Sequence, residues 1–145
     1  MKLLIINGPN LNFLGIREPE IYGKENYEAL CEMIKDHAAK KNVSVELFQS
    51  NHEGAIIDKI QEAYLNKTDG IVINPGAYTH YSYAILDALR SVDMPKVEIH
   101  ISDIDSREEF RKTSVTSGGC DTLIKGRGFK GYLDAMDLII ENKVK

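Results

Sequence analysis

The sequence predicts an α/β protein with three layers, in which a five-stranded parallel sheet carries helices on both faces. Five short apolar runs alternate with helical patterns along the chain. Strands that alternate with helices form parallel sheets, because each right-handed crossover places a helix on one face of the sheet. The chain has 145 residues, of which 43% are hydrophobic. This length and composition suit one domain with its own core.

The five predicted strands are short, and most of them are rich in Ile, Val and Leu. Near-continuous apolar runs of this kind are typical of strands that are buried on both faces of a parallel sheet. The predicted strands are Leu3–Ile6, Val43–Phe48, Gly70–Asn74, Lys96–His100 and Cys120–Lys125.

Between the strands, apolar residues recur at intervals of three and four, which is the spacing of amphipathic helices. We expect the first helix to begin near Asn26 and the last to bury Tyr132 and Ile140. Capping residues predict three further starts. They are a Ser50–Glu53 capping box, an N-cap at Thr79, and a Ser106–Glu109 capping box before a short helix through Arg111.

The strand order expected for this pattern is the flavodoxin-like 2-1-3-4-5. In such sheets ligands bind outside the carboxyl ends of the strands, near the switch point between strands one and three. No repeat, low-complexity tract or linker indicates a second unit. We therefore expect residues 1–145 to form a single flavodoxin-like domain.

Charge and composition exclude several classes of function. A net charge of −4 gives no electrostatic footprint for nucleic acid. There is no apolar stretch of about 18 residues, and the apolar start is too short for a signal peptide, so we expect a cytoplasmic protein that does not bind membranes. Cys31 and Cys120 are far apart in sequence. They form no metal-binding motif, and we expect reduced, buried thiols and no metal site.

The connection after the first strand, about residues 8–25, is unusually long, because strand-to-helix connections usually take about 2–6 residues. Its apolar residues argue against disorder, so we expect a functional lid. Arg17 and Tyr22 lie in it at a spacing that allows side-by-side contact. A guanidinium lowers the pKa of a nearby phenol, which makes Tyr22 a candidate base. The alternative is an ordinary stacking pair or surface anchor.

Polar side chains follow three strands of the predicted sheet at its carboxyl edge. Asn10 follows strand one, Asn74 ends strand three with His80 shortly after, and His100 ends strand four. Ser102 and Arg111 follow along the chain. Asn74 could merely satisfy backbone groups where its strand stops.

His100 is harder to explain structurally. Glu98 precedes it by two residues and therefore points to the same side of the strand, which suggests an oriented acid. His37 and His52 are expected to be structural. The segment Gly126–Gly131 matches GxGxxG, but too little chain follows it for a dinucleotide site, and its glycines are expected to allow close helix packing.

Several of these segments together resemble type II 3-dehydroquinate dehydratase, and the resemblance spans nearly the whole chain. The segments are Gly8–Asn12, Leu14–Gly15, Arg17–Pro19, Tyr22–Gly23, Ser50–Asn51, Asn74–His80, Glu98–Ser102, Arg107–Arg111 and Gly131–Tyr132. One departure follows Arg111, where Lys112 and Thr113 replace the family's usual residues.

The resemblance implies dehydration of 3-dehydroquinate to 3-dehydroshikimate in the shikimate pathway, through an enolate and without a cofactor. By similarity, Tyr22 is the base and Arg17 favours its phenolate. Asn10 holds the water that stabilises the enolate, and His100 protonates the leaving hydroxyl.

The resemblance also implies the substrate contacts. Asn74 grips the carboxylate together with the backbone of Ile101 and Ser102, and the ring hydroxyls are held by His80 and Arg111. Asp87 is implied to reach the site of a neighbouring subunit, because the family forms a dodecamer built from trimers.

A rival expectation is a non-enzymatic flavodoxin-like module that binds FMN or accepts a phosphoryl group. A phosphoacceptor needs an Asp where this chain has Asn74, and a flavin site needs a glycine- and hydroxyl-rich loop where Gly8–Leu11 stands. A scaffold derived from the enzyme would be distinguished only by assay.

Overall fold

A parallel sheet of five strands forms the centre of the protein, in the order β2-β1-β3-β4-β5. The computed structural model describes residues 1–16 and 25–144. The strands are β1 Lys2–Asn7, β2 Ser44–Gln49, β3 Gly70–Asn74, β4 Lys96–His100 and β5 Thr122–Lys125. The predicted fold class and strand order are confirmed.

Helices cover both faces of the sheet. They are α1 Tyr27–Lys40, α2 Glu53–Leu65, α3 Tyr83–Arg90 and α4 Lys130–Ile140. The buried side chains of α1 and α4 share one core cluster with the sheet, and those of α2 and α3 share the other. Among the described residues, no helix is long and apolar enough to cross a membrane.

Strand β1 explains why the predicted strands are continuously apolar. Leu3 and Ile5 belong to the core under α1 and α4, whereas Leu4 and Ile6 belong to the core under α2 and α3. Successive side chains of a strand point to opposite faces. Because helices cover both faces here, the four side chains between the end residues Lys2 and Asn7 are all apolar.

The sheet register brings the carboxyl ends of its central strands together. Asn7 pairs with Gln49 of β2 and with Asn74 of β3. The Gly8 N–H then donates to the Asn74 carbonyl at 2.8 Å. A side chain at Gly8 would lie 2.5 Å from the Pro75 oxygen, so only glycine permits this approach.

The predicted helix starts were right at Asn26 and wrong at Ser50. Asn26 caps α1 by accepting the Ala29 N–H at 2.8 Å. The Ser50 hydroxyl instead accepts the His52 N–H at 3.0 Å, and α2 begins only at Glu53. The spacing resembled a capping box, but Ser50 forms a local turn before the helix.

The predicted cap at Thr79 is also wrong. Thr79 lies in a 3-10 segment, Gly76–His80, with its side chain directed at Glu98. Ser82 caps α3 instead, accepting the Ile85 N–H at 3.0 Å. Ser82 also donates to Glu53 at 2.5 Å, which joins the two helices on that face.

The predicted Ser106–Glu109 capping box is wrong as well. Two short 3-10 segments, Ile104–Ser106 and Glu109–Lys112, replace the expected helix. Asp103 caps the first of them by accepting the Asp105 N–H at 3.0 Å. The Ser106 hydroxyl donates backwards to the Asp103 carbonyl at 2.8 Å, so it caps nothing.

Two smaller expectations concern the thiols and the last glycine motif. Cys31 and Cys120 are free thiols, as expected, but they are half-buried rather than buried. Burial, reinforced by the charge of Glu98, raises the pKa of Cys120. A side chain at Gly131 would lie 2.4 Å from Ile99 Cδ1, which confirms that this glycine allows α4 to pack closely on β4.

Candidate active site

A cavity of about 210 Å³ lies at the carboxyl edge of the sheet. Its wall brings together six of the ten residues proposed for the site from the sequence, although they come from three separate segments of the chain. The six are Asn74, His80, His100, Ile101, Ser102 and Arg111. The expectation that polar strand ends meet at one edge is therefore confirmed for these residues.

The polar wall of the cavity is basic. Arg107 and Arg111 contribute two guanidinium groups and His80 and His100 two imidazoles, and no carboxylate belongs to the wall in the described part of the chain. The two guanidinium groups give this wall a local positive charge, in contrast with the net charge of −4 of the whole chain. The cavity therefore suits an anionic ligand.

His100 is held by a buried carboxylate behind the cavity. Its Nε2 donates to Glu98 Oε2 at 2.7 Å, and Glu98 is fully buried. Because the Nε2 proton is committed to Glu98, proton transfer to a ligand must use Nδ1 of His100. That nitrogen has no hydrogen-bond partner within residues 1–16 and 25–144.

Three hydroxyl groups also surround Glu98. Thr79 and Ser114 each donate to Oε2 at 2.8 Å, and Thr116 donates to Oε1 at 2.5 Å. Burial by itself raises the pKa of Glu98. The hydrogen bond and charge of His100, with the Thr116 and Ser114 hydroxyls, outweigh burial and hold this pKa below its usual value. Glu98 is therefore a stable anion that can pair with a protonated His100.

His80 is oriented by the segment that follows Arg111. Its Nδ1 donates to the Thr113 carbonyl at 2.8 Å, and a carbonyl oxygen can only accept. The proton therefore sits on Nδ1, which leaves Nε2 as an acceptor. Because this contact uses the backbone of Thr113, the departure from the family pattern at Lys112 and Thr113 leaves it intact.

Arg111 is fixed at the rim of the cavity. Its Nε donates to Glu108 at 3.1 Å, and its guanidinium carbon lies 4.8 Å from the centre of the Phe110 ring. The same ring meets His80 edge-on, with ring centres 5.9 Å apart. Phe110 thus keeps both basic side chains at the same side of the cavity.

Ile101 and Ser102 offer backbone donors. Their carbonyl groups accept the N–H groups of Gly128 and Gly126, at 3.0 and 3.1 Å. The N–H groups of Ile101 and Ser102 themselves donate to no described residue. Successive free N–H groups form a favourable concavity for a carboxylate or another anion.

Of the described residues proposed for the site, Asn10 and Asp87 do not belong to the wall of this cavity. Asn10 is exposed, has a left-handed backbone with φ of 70°, and its N–H donates to Asn51 Oδ1 at 3.0 Å. Asp87 is exposed on α3 and does not belong to this cavity. Arg17 and Tyr22 lie outside the described residues.

Sequence reasoning missed Arg107 and the three hydroxyls that hold Glu98. Arg107 carries no periodic signal, and it stood among the family segments without a role. Ser114 and Thr116 lie in a segment without predicted structure, and Thr79 was misassigned to a helix cap. A buried carboxylate needs several hydrogen-bond donors, so donors around Glu98 could have been expected. No spacing in the sequence identifies which hydroxyl residues supply them.

A basic cavity in which His100 is held by a buried carboxylate is a type of site that enzymes use for acid–base chemistry on small anions. Among the described residues, no group of three or more His, Cys, Asp or Glu side chains could hold a metal ion. Comparison with known proteins agrees with this class. Residues 1–140 match the family Dehydroquinase class II, and the chain belongs to this family.

Relatives of known sequence and structure resemble nearly the full chain. A 3-dehydroquinate dehydratase of Lachnospira eligens is 62% identical over 146 residues, covering 100% of this chain and 99% of the relative. The crystal structure of a type II dehydroquinase from Butyrivibrio crossotus has a TM-score of 0.93 at 66% identity, covering 96% of this chain and 97% of the other. The crystal structure of a type II dehydroquinase from Propionibacterium acnes has a TM-score of 0.88 at 36% identity, covering 97% of this chain and 98% of the other.

Proposed function

We propose that this protein is a type II 3-dehydroquinate dehydratase. It is a lyase that removes water from 3-dehydroquinate to give 3-dehydroshikimate, through an enolate, in the shikimate pathway and without a cofactor. The observation that carries the proposal is the match to relatives named 3-dehydroquinate dehydratase, including two that cover essentially the full chain at 62% and 53% identity. The basic cavity supports it, because the substrate is a carboxylate.

The reaction begins with removal of a proton next to a ketone. We assign this step to Tyr22 as the phenolate base, with Arg17 stabilising the phenolate, on the strength of the family motif. The electrons of the broken C–H bond move onto the ketone oxygen as an enolate. Asn10 holds the water that stabilises this oxygen. Residues 8–25, which contain all three residues, act as a lid in this proposal.

The second step is loss of the hydroxyl, which needs a proton donor. We assign it to His100, which delivers the Nδ1 proton while the enolate electrons form the new double bond and water leaves. The Glu98 carboxylate supports this role, because a buried anion 2.7 Å from Nε2 stabilises the imidazolium that must donate. A neutral His100 bonded in this way has no proton on Nδ1 to give.

Binding is assigned to the remaining groups of the wall. The substrate carboxylate accepts hydrogen bonds from Asn74 and from the free N–H groups of Ile101 and Ser102. The ring hydroxyls contact His80 and Arg111. His80 accepts through Nε2, because its Nδ1 proton is held by the Thr113 carbonyl.

We further propose that residues 1–145 work as one catalytic domain within a cytoplasmic homododecamer built from trimers, which binds neither nucleic acid nor membrane. Asp87 then contacts the site of a neighbouring subunit. Its exposure on α3 supports this assignment, since a side chain that reaches another subunit cannot be buried in its own.

The alternative of a non-enzymatic flavodoxin-like module is not favoured. A phosphoacceptor requires a carboxylate at the carboxyl edge near the switch point, and Asn7 and Asn74 occupy the paired ends of β1 and β3. The basic cavity would suit the phosphate of FMN, but Gly8–Leu11 does not supply the glycine- and hydroxyl-rich loop that a flavin site needs.

The direct test is to add 3-dehydroquinate to the protein and follow the ultraviolet absorbance of the conjugated enone product. We expect turnover that the Tyr22→Phe variant loses while substrate binding stays within about threefold. Tyr64→Phe, on an exposed part of α2, is the matched control and should be unaffected. An inactive wild type would refute the function. Turnover of Tyr22→Phe within about tenfold, a barrier change of only about 1.4 kcal/mol, would remove Tyr22 as the base.

A further inference from the structure

A buried chain of hydrogen bonds connects the wall of the cavity to the end of β1. Asn74 Nδ2 donates to the Tyr132 hydroxyl at 2.9 Å, and this hydroxyl donates to Asn7 Oδ1 at 2.6 Å. Tyr132 and Asn7 have no exposed surface, and Asn74 is 3% exposed. Of the three, only Asn74 belongs to the cavity wall.

The direction of this chain is set by a backbone group. The Gly76 N–H donates to Asn74 Oδ1 at 3.1 Å, and a backbone N–H can never accept. The oxygen of the Asn74 amide must therefore face Gly76, so its nitrogen must face Tyr132. Tyr132 accepts from that nitrogen and must pass its own proton on to Asn7.

Two further observations agree with this direction. Nδ2 of Asn7 is buried and has no hydrogen-bond partner among the described residues, as expected if the chain forces Oδ1 toward Tyr132 and leaves the nitrogen over. Burial, opposed by the Asn74 hydrogen bond, raises the pKa of Tyr132. This raised pKa favours the protonated hydroxyl, which is the form that can donate to Asn7.

We infer that Tyr132 is a positioning residue: the Gly76 N–H sets which end of the Asn74 amide faces it, and the Tyr132 hydroxyl holds the nitrogen end in place, so that this amide presents an N–H donor to the ligand in the cavity. One hydrogen of Nδ2 is held by Tyr132, and the second remains for the ligand. Without the hydroxyl, the nitrogen end of the amide loses the hydrogen bond that holds it, and only the Gly76 contact at the oxygen end remains. This inference rests on the proposed function, because it specifies how Asn74 recognises the substrate carboxylate.

The test is a double-mutant cycle in the dehydration assay, using Tyr132→Phe and Asn74→Ala. Tyr132→Phe should raise KM by about tenfold or more, the size of one lost hydrogen bond to a charged group, with kcat within about threefold. In the Asn74→Ala background the same change should have no further effect on KM, because its only route to the ligand is gone. A purely structural tyrosine would instead lower stability alike in both backgrounds and leave KM unchanged.

Tyr27→Phe is the matched control. Burial raises the pKa of Tyr27 to about 12, against a lowering influence of the nearby Asn7 side chain, but Tyr27 forms no hydrogen bond to Asn74. The Tyr27→Phe substitution therefore removes a hydroxyl beside the same Asn7 and should leave KM unchanged. An unchanged KM for Tyr132→Phe, or equal increases in both backgrounds, overturns the inference.

A second pair of variants covers the case in which Tyr132→Phe does not fold. Asn7→Asp keeps an acceptor oxygen for Tyr132 in either protonation state, whereas Asn7→Ala removes it. We expect KM within about threefold of wild type for the first and about tenfold higher for the second, although Asn7 is not in the cavity wall. Equal KM values for the two overturn the inference. Because the wild type is assayed in parallel, its inactivity would count against the proposed function and not against Tyr132.

Discussion

Replacing Glu98 by glutamine removes the charge that His100 needs while changing almost no volume. The carboxylate accepts from His100, Thr79 and Ser114 on one oxygen and from Thr116 on the other. An amide has one oxygen, so even its best orientation turns a nitrogen toward Thr116 and loses one hydrogen bond to a charged group. Such a bond contributes about 1.5–3 kcal/mol, which is the expected loss in the free energy of unfolding.

The larger effect of Glu98→Gln should be on turnover. A neutral amide cannot stabilise the imidazolium, so the acid form of His100 becomes scarce and the hydroxyl leaves without help. We expect kcat to fall by about 10²–10⁴-fold, the usual contribution of a general acid, with KM changed far less. Steady-state kinetics across pH measure the change in kcat, and urea unfolding at each pH measures the change in the free energy of unfolding.

The acid dependence has a definite sign. The pKa of Glu98 lies below its usual value of 4.5 in the folded protein, so its stabilising contribution is present above that value and is lost as the pH falls through the lowered pKa. The stability difference from Glu98→Gln should therefore narrow in acid. Glu53→Gln is the matched control, since Glu53 also accepts a hydroxyl hydrogen bond, from Ser82 at 2.5 Å. If Glu98→Gln keeps kcat within tenfold, the acid assignment is refuted.

Two further predictions concern stability. In Gly131→Ala, the added Cβ would lie 2.4 Å from Cδ1 of the buried Ile99 side chain. Overpacking of this kind should lower the free energy of unfolding by about 1–3 kcal/mol. Gly54→Ala, with no atom within 4 Å, should instead add about 0.5–1 kcal/mol within α2; a loss at both sites in urea titrations would contradict the packing argument. Because the pKa of Tyr27 is raised to about 12, folding should lose stability between about pH 10 and 12. Tyr27→Phe should make that loss of stability smaller. If the free energy of unfolding of the variant falls with alkaline pH as it does in the wild type, the titration of Tyr27 is excluded as the cause.

The fold could be predicted because its signals are local. Strands buried on both faces are mostly apolar, as β1 is between Lys2 and Asn7, and their alternation with helices leaves few possible topologies. The helix starts were less predictable. Serine and threonine hydroxyls serve a cap, a turn or a distant carboxylate equally well, and Thr79 was assigned to a cap when its partner is Glu98, 19 residues away.

The candidate site likewise contains residues that the sequence could identify and residues that it could not. His100 and Asn74 were identifiable because a parallel sheet brings the ends of its strands to one edge. The segment that carries Ser114 and Thr116 reaches Glu98 only through tertiary packing, and its sequence contains no period that indicates this. The Asn74 amide also donates to Tyr132, 58 residues away, a contact that only the position of α4 against the sheet creates.

Hydrogen exchange can separate enolate formation from loss of the hydroxyl, and so it tests whether His100 acts as the acid after the enolate has formed. The His100→Ala variant is incubated with 3-dehydroquinate in deuterated water, and deuterium incorporation next to the ketone is compared with dehydration. We predict that incorporation persists while dehydration falls by about 10²-fold or more. Dehydration at the wild-type rate, or parallel loss of exchange and dehydration with binding intact, would contradict the assignment.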